Sequence, residues 1–189
     1  MINDDKRRRI TELVCGIGKG NVSDLKELIE LIQHDLQKLA MSYLFDVYLA
    51  EEVVSDTFRK IIEKSNTLTS TSNIFGWIKT ILINRCLNII KKRKPEVSYE
   101  ELIEKNYQFF DSSSEELLER IHITECLKKM KEPERIILLL HVDGYTYKEI
   151  SIITNMSIKK VRNILIKAKT HFEKLYNEGQ KWRGQLLCI

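Results

Sequence analysis

A chain of 189 residues has room for one domain or two small ones, and its seven glycines and two prolines, set against abundant Leu, Ile, Lys and Glu, favour helix over sheet. No run of about 18 apolar residues is present, which excludes a membrane-spanning segment of the usual kind, and the opening Asp4-Asp5-Lys6-Arg7-Arg8-Arg9 lacks the apolar stretch of a secretory signal, so a cytoplasmic protein with no stable membrane insertion is expected. The net charge of +4 hides a pattern: residues 1–94 hold 16 Lys and Arg against 12 Asp and Glu, residues 95–119 hold one against eight, and residues 120–189 hold 14 against seven. Two basic blocks joined by an acidic strip suit two nucleic-acid-facing modules and a linker, although charge runs are more often just solvated faces.

In chain order, apolar residues at Leu25, Leu28, Ile29, Ile32, Leu36, Leu39 and Tyr43 mark a helix over Ser23–Tyr43, with Ser23 as its predicted N-cap and Asp24 in the first turn. Before it, Cys15-Gly16-Ile17-Gly18-Lys19-Gly20 has part of the glycine pattern of a phosphate-cradling loop. It lacks the full Walker spacing and no strand precedes it, so a break between two helices suffices. A second helix spans roughly Leu49–Lys64. The polar stretch Ser65–Asn73 follows and reads as a loop, because Ser, Thr and Asn side chains compete for backbone hydrogen bonds. The next helix, about Ile74–Arg93, is apolar over most of its circumference and is expected to be largely buried, ending before Pro95. Along it Thr80, Asn84, Asn88 and Lys91 form one polar stripe, one turn after Trp77. Buried, such a stripe is costly and calls for a partner. Trp77 itself reads equally well as core.

Residues 95–114, with Pro95, several Glu and Ser112-Ser113-Ser114, read as an extended connector with at most one short helix. Helices are predicted at about 115–129 and Glu132–Val142, the latter with Pro133 in its first turn, and Asp143-Gly144 makes a turn. A short helix, Tyr147–Thr154, presents Ile150 and Ile153 inward. Asn155 suits a tight left-handed turn, and Ser157 can cap the last helix. In that helix Val161, Leu165, Ala168, Phe172 and Leu175 form a packing stripe, while Lys159, Lys160, Arg162, Lys167 and Lys169 make the other faces cationic. A helix that docks on its own domain while lying in a major groove needs this division.

The stretch "ERIILLLHVDGYTYKEISIITNMSIKKVRNILIKAKTHFEKL" resembles region 4 of the sigma-70 family, in particular the compact extracytoplasmic-function type. Tyr147, Glu149-Ile150, Met156-Ser157, Val161 and Ala168 fall on that family's helix-turn-helix framework. The resemblance implies that Arg162, Asn163, Ile166 and Lys167 face the −35 promoter element, with Lys159 and Lys160 near phosphates. Ser151 stands where Ala is usual and Thr154 where Leu is usual, and Ile164 and Ile166 are apolar where polar residues are common.

"AEEVVSDTF", residues 50–58, resembles the region 2 segment that binds the coiled coil of the largest polymerase subunit. By that match Asp46, Glu51, Glu52 and Asp56 supply an acidic polymerase-binding surface, while Val53, Val54 and Phe58 pack inside. "IFGWIKTILINRCLNIIKKRK", residues 74–94, resembles region 2.3–2.4. Its Trp77, Thr80, Asn84, Asn88, Lys91, Lys92 and Arg93 are thereby implied to contact the −10 region, with Asn84 helping to capture an extruded base and loop residues 66–73 setting the pocket. That loop is Ser/Thr-rich where the family is usually charged and aromatic.

The fold expected is all-α: a region 2-like helical domain over 1–94, an acidic linker over 95–119, a region 4-like helix-turn-helix domain over 120–178 and a tail over 179–189. The function implied is that of a sigma factor, not an enzyme. Its partners are core RNA polymerase and promoter DNA, with an anti-sigma factor as a further candidate. The rivals are a helix-turn-helix regulator that binds duplex DNA by itself, and a helical adaptor that binds no DNA. His34, His122, His141 and His171 form no visible catalytic set, and no cofactor is expected. His122 and Cys126 lack further ligands for a metal, and the four cysteines, with no CxxC pair, read as free thiols.

Overall fold

The computed structural model describes residues 4–68, 73–92 and 114–186, and every regular element in them is a helix. The chain divides into two compact units, Met1–Tyr107 and Gln108–Ile189, a division that falls inside the acidic connector. Arg93, loop residues 69–72, linker residues 95–113 and tail residues 187–189, with Cys188 among them, lie outside the described residues. Of the cysteines, Cys15, Cys86 and Cys126 form no disulfide, and burial pushes the Cys86 thiol up to about 12.

In the first unit, α1 (Asp4–Gly18), α2 (Val22–Leu44), α3 (Val47–Lys64) and α4 (Ile74–Lys92) pack around one core. The stripe of α2 buries Leu28, Ile32, Leu36, Ala40 and Tyr43, with Leu25, Ile29 and Leu39 at its half-buried margins. Helix α1 contributes Ile10, Leu13 and Val14, α3 contributes Val53, Val54, Phe58 and Ile61, and α4 contributes Ile78, Leu82, Ile83, Cys86 and Ile90. Helix α1 is also held to α2 by ion pairs, Lys6 with Asp35 at 2.7 Å and Arg9 with Glu27 at 2.6 Å.

Two expectations are corrected here. The N-cap of α2 is Asn21, not Ser23: the Asn21 side-chain oxygen accepts from the Ser23 backbone N–H at 3.1 Å and from its hydroxyl at 2.8 Å. Asn and Ser rank alike as caps, so residue type alone does not choose between them. The polar stretch after α3 is not all loop, because Ser65–Thr67 continue it as a 3-10 turn with Ser65 buried.

The glycine-rich segment closes α1. Asn21 N–H donates to the Gly16 carbonyl and Gly20 N–H to the Ile17 carbonyl, a paired C-cap that puts Gly20 in the left-handed region at φ 86°. Gly18 lies against the Ser65 backbone, so that a Cβ added there would sit 2.8 Å from the Ser65 carbonyl oxygen. Backbone cannot swing aside as a side-chain tip can. Gly18→Ala is therefore expected to lower stability by about 1–2 kcal/mol, read as a reduced thermal midpoint of the full chain; an unchanged midpoint would mean that the two segments separate at no cost.

In the second unit, α5 (Ser114–Lys129), α6 (Glu132–Val142) and α7 (Tyr147–Thr154) pack on α8 (Ile158–Leu186). Ile137, Leu140, Ile150, Val161, Leu165 and Ala168 form the centre of the core. His122 is a docking side chain here. Its ring packs on Tyr176 at 4.9 Å between centroids, its Nε2 lies 2.9 Å from the Tyr176 carbonyl oxygen, and the site of a Cβ on Gly179 is filled by the imidazole. No group of three potential metal ligands occurs among the described residues. Helix α8 runs to Leu186, into the segment set apart as a tail.

Candidate nucleic-acid and polymerase interfaces

The turn between α7 and α8 is fixed by local chemistry. Thr146 and Glu149 form a reciprocal capping box at the start of α7, and the Thr146 hydroxyl and N–H hold the Glu149 carboxyl below its usual range. At the other end Asn155 takes the left-handed conformation at φ 53°, and Met156 N–H reaches back to the Ser151 carbonyl at 3.1 Å. The Ser151 hydroxyl then donates to the Met156 carbonyl at 2.6 Å, a bond that the alanine usual at this position in the sigma-70 pattern could not make. Ser157 caps α8, its hydroxyl accepting from Lys160 N–H at 3.3 Å.

These fixings set the rotation of α8. Val161, Leu165 and Ala168 go into the core, while Lys159, Lys160, Arg162, Asn163, Ile166 and Lys167 are all exposed. Lys159, Lys160, Asn163 and Lys167 line one shallow recess together with Ser157 and Ile164, two residues that the sequence pattern did not mark as contacts. The first turn of α8 holds no acidic residue, and its two lysines stand at the positive end of the helix dipole. Cations there are mildly unfavourable by themselves and favourable once an anion lies against the N-terminus.

In the first unit, Asn84, Asn88, Lys91 and Lys92 are exposed on α4, with Thr80 and Trp77 half-buried. This corrects the expectation of a buried polar stripe. The stripe faces solvent, the Thr80 hydroxyl donates to the Gly76 carbonyl at 2.9 Å, and no desolvation cost demands a partner. Asn73, the last residue of the loop, caps α4 by accepting from Gly76 N–H at 3.0 Å.

The four acidic residues of α3 and its approach separate into two kinds. Asp46 is the N-cap of α3, accepting from Leu49 N–H at 3.1 Å. Asp56 is mostly covered and paired with Arg85 of α4 and, at 2.6 Å, with Arg59. Glu51 and Glu52 are exposed and make no ion pair among the described residues, and Tyr48, also exposed, shares their face. Tyr48 and Arg85 were missed by sequence reasoning. The helical spacing of Tyr48 with Glu51 and Glu52 was the available signal for the first; no local signal exists for the second.

Sequence models of the family match both units: "Sigma-70 region 2" over residues 28–96 and "Sigma-70, region 4" over residues 120–172. The chain belongs to the sigma-70 family. It is a sigma factor of the extracytoplasmic-function type, a transcription initiation factor that carries out no bond chemistry of its own and whose partners are core RNA polymerase and promoter DNA. Among curated proteins it is similar to the ECF RNA polymerase sigma factor SigM of Bacillus subtilis, 24% identical over 158 residues that cover 82% of this chain and 96% of that one. Among solved structures it is similar in fold to CnrH, in a complex with the cytosolic domain of CnrY, with TM-score 0.59, 16% identity, and 90% and 98% of the two chains covered. It is similar also to the sigma factor RpoE of Bartonella quintana, in a complex with the anti-sigma factor NepR, with TM-score 0.54, 19% identity, and 82% and 98% covered. No helix among the described residues is long and apolar enough to cross a membrane.

Proposed function

We propose that this sigma factor divides its work between the two units, with working boundaries at 1–94 and 120–178. The exposed face at the start of α8 reads the −35 element, α4 and the loop before it hold the opened −10 strand, and Glu51 and Glu52 dock on core polymerase. The observation that carries the reading is the cationic, acid-free first turn of α8 beside an exposed row of Arg162, Asn163, Ile166 and Lys167. Phosphates relieve the clash of Lys159 and Lys160 with the helix dipole. Arg162 and Asn163 carry the donors and acceptors that distinguish base edges, and Ile166, 60% exposed, suits the methyl group of a thymine.

On α4, the open stripe of Asn84, Asn88, Lys91 and Lys92 offers amides to unpaired bases and cations to phosphates. Asp46 and Asp56 support this arrangement from within the unit rather than meeting polymerase directly. The site of action is the cytoplasm. An anti-sigma protein is a further partner, a reading supported only by likeness in fold to a factor solved with one.

The test is reconstituted transcription with core polymerase on the DNA upstream of the protein's own gene. A discrete start site that requires this protein is expected, and tight duplex binding without core polymerase would favour a free-standing regulator. In the same assay Asn84→Ala is expected to weaken strand opening, followed by permanganate reactivity of the melted thymines, by about 1 kcal/mol while leaving initial polymerase binding intact. Equal loss at both steps would remove Asn84 from base capture.

A further inference from the structure

Arg162 is exposed and has no carboxylate partner among the described residues, yet its side chain does not stand alone. Its guanidinium carbon lies 5.8 Å from the centroid of the Tyr147 ring. Tyr147 is the first residue of α7 and is 37% exposed, while the capping of that helix is done by Thr146 and Glu149 and its core contact by Ile150. Neither the capping of α7 nor its core contact uses the ring of Tyr147. It is nevertheless seated: the His141 imidazole, from the last turn of α6, stacks on it at 6.0 Å with only 10° between the planes. His141 is held in turn from α8, where Lys169 Nζ lies 3.3 Å from its Nε2. Four side chains from three helices form a line that ends on the arginine.

A free arginine loses much rotamer freedom when it sets two N–H groups against one base edge, and a cation–π contact that restricts it beforehand reduces that loss. We infer that Tyr147 is a positioning residue for promoter discrimination, its ring, seated by His141, holding the Arg162 guanidinium at the reading face before DNA arrives. The inference rests on the reading of α8 as the −35 reader. Tyr147 touches no base in this scheme and acts only through Arg162.

The experiment uses the full chain with core polymerase in run-off transcription, on templates carrying each of the four base pairs at every position of the upstream element. Arg162→Ala identifies the position whose base preference depends on the arginine. At that position Tyr147→Leu is expected to narrow the ratio between best and worst base by about two- to fivefold, the range of an exposed cation–π contact. Tyr147→Phe, which keeps the ring, is expected to retain the wild-type ratio, and Tyr147→Leu is expected to add nothing once Arg162 is Ala. His141→Ala leaves the tyrosine in place and removes its seat, so a narrowing at the same position is expected there even if the leucine variant fails to fold. An unchanged or widened ratio in these variants, a loss equal on all templates, or a phenylalanine variant as impaired as the leucine one would overturn the inference. If Arg162→Ala itself left every base preference intact, the assignment of Arg162 would fall first, and the role of Tyr147 with it.

Discussion

Arg162→Ala is expected to weaken use of the upstream promoter element by about 1–3 kcal/mol, with a loss that depends on the base at one position. The size follows from what the side chain offers: two parallel N–H donors that a guanine edge accepts and other edges match poorly. The base dependence separates this role from that of Lys159 and Lys160, whose replacement should weaken all templates alike and flatten the salt dependence of binding. Stability should change little, since Arg162 is exposed and the core stripe of α8 runs through Val161, Leu165 and Ala168. Transcription from a template set varied in the upstream element measures both quantities, and a uniform loss across that set would count against base readout by Arg162.

How far such a site is legible in a sequence depends on whether its determinants are local. The helix-turn-helix was legible almost to the residue, because a left-handed Asn155 and a capping Ser157 are local devices with few alternatives, whereas the Thr146–Glu149 capping box went unmarked. Helix α1 was not bounded in advance. Its short stripe of Ile10, Leu13 and Val14 is embedded in charge, and the ion pairs that place it join residues 18 and 29 positions apart. Phe45, buried and in the left-handed region at φ 52° after α2, carried no warning, since aromatic residues seldom end a helix in that way.

Periodicity showed that Thr80, Asn84, Asn88 and Lys91 share a face, but not which way the face points. Only the packing of α4 against α2, α3 and α1 turns it outward. The acidic cluster shows a related gap. Sequence gives the charge of Asp56 but not the arrival of Arg85 beside it, nor the backbone N–H of Leu49 that occupies Asp46. Asp46 and Asp56 are engaged within the fold, so in the proposed docking Glu51 and Glu52 carry the exposed acidic charge of this face.

That division makes the second large effect specific. Reversing both charges, Glu51→Lys with Glu52→Lys, is expected to lower affinity for core polymerase by about 2–4 kcal/mol, since like charges forced together across an interface cost several kcal/mol. Folding should be spared, to within about 0.5 kcal/mol, because neither side chain is covered or paired among the described residues. Asp56→Asn is the contrasting variant. It breaks the tie between α3 and α4 through Arg85, so its effect should appear in the thermal midpoint of the free protein before it appears in polymerase binding. Titration of labelled protein against core polymerase, alongside melting of the free protein, gives both readouts. A double reversal that stays folded and binds as tightly as the parent would move the docking surface off this face of α3. A weakening that disappears at high salt would keep it there as a long-range field rather than a close contact.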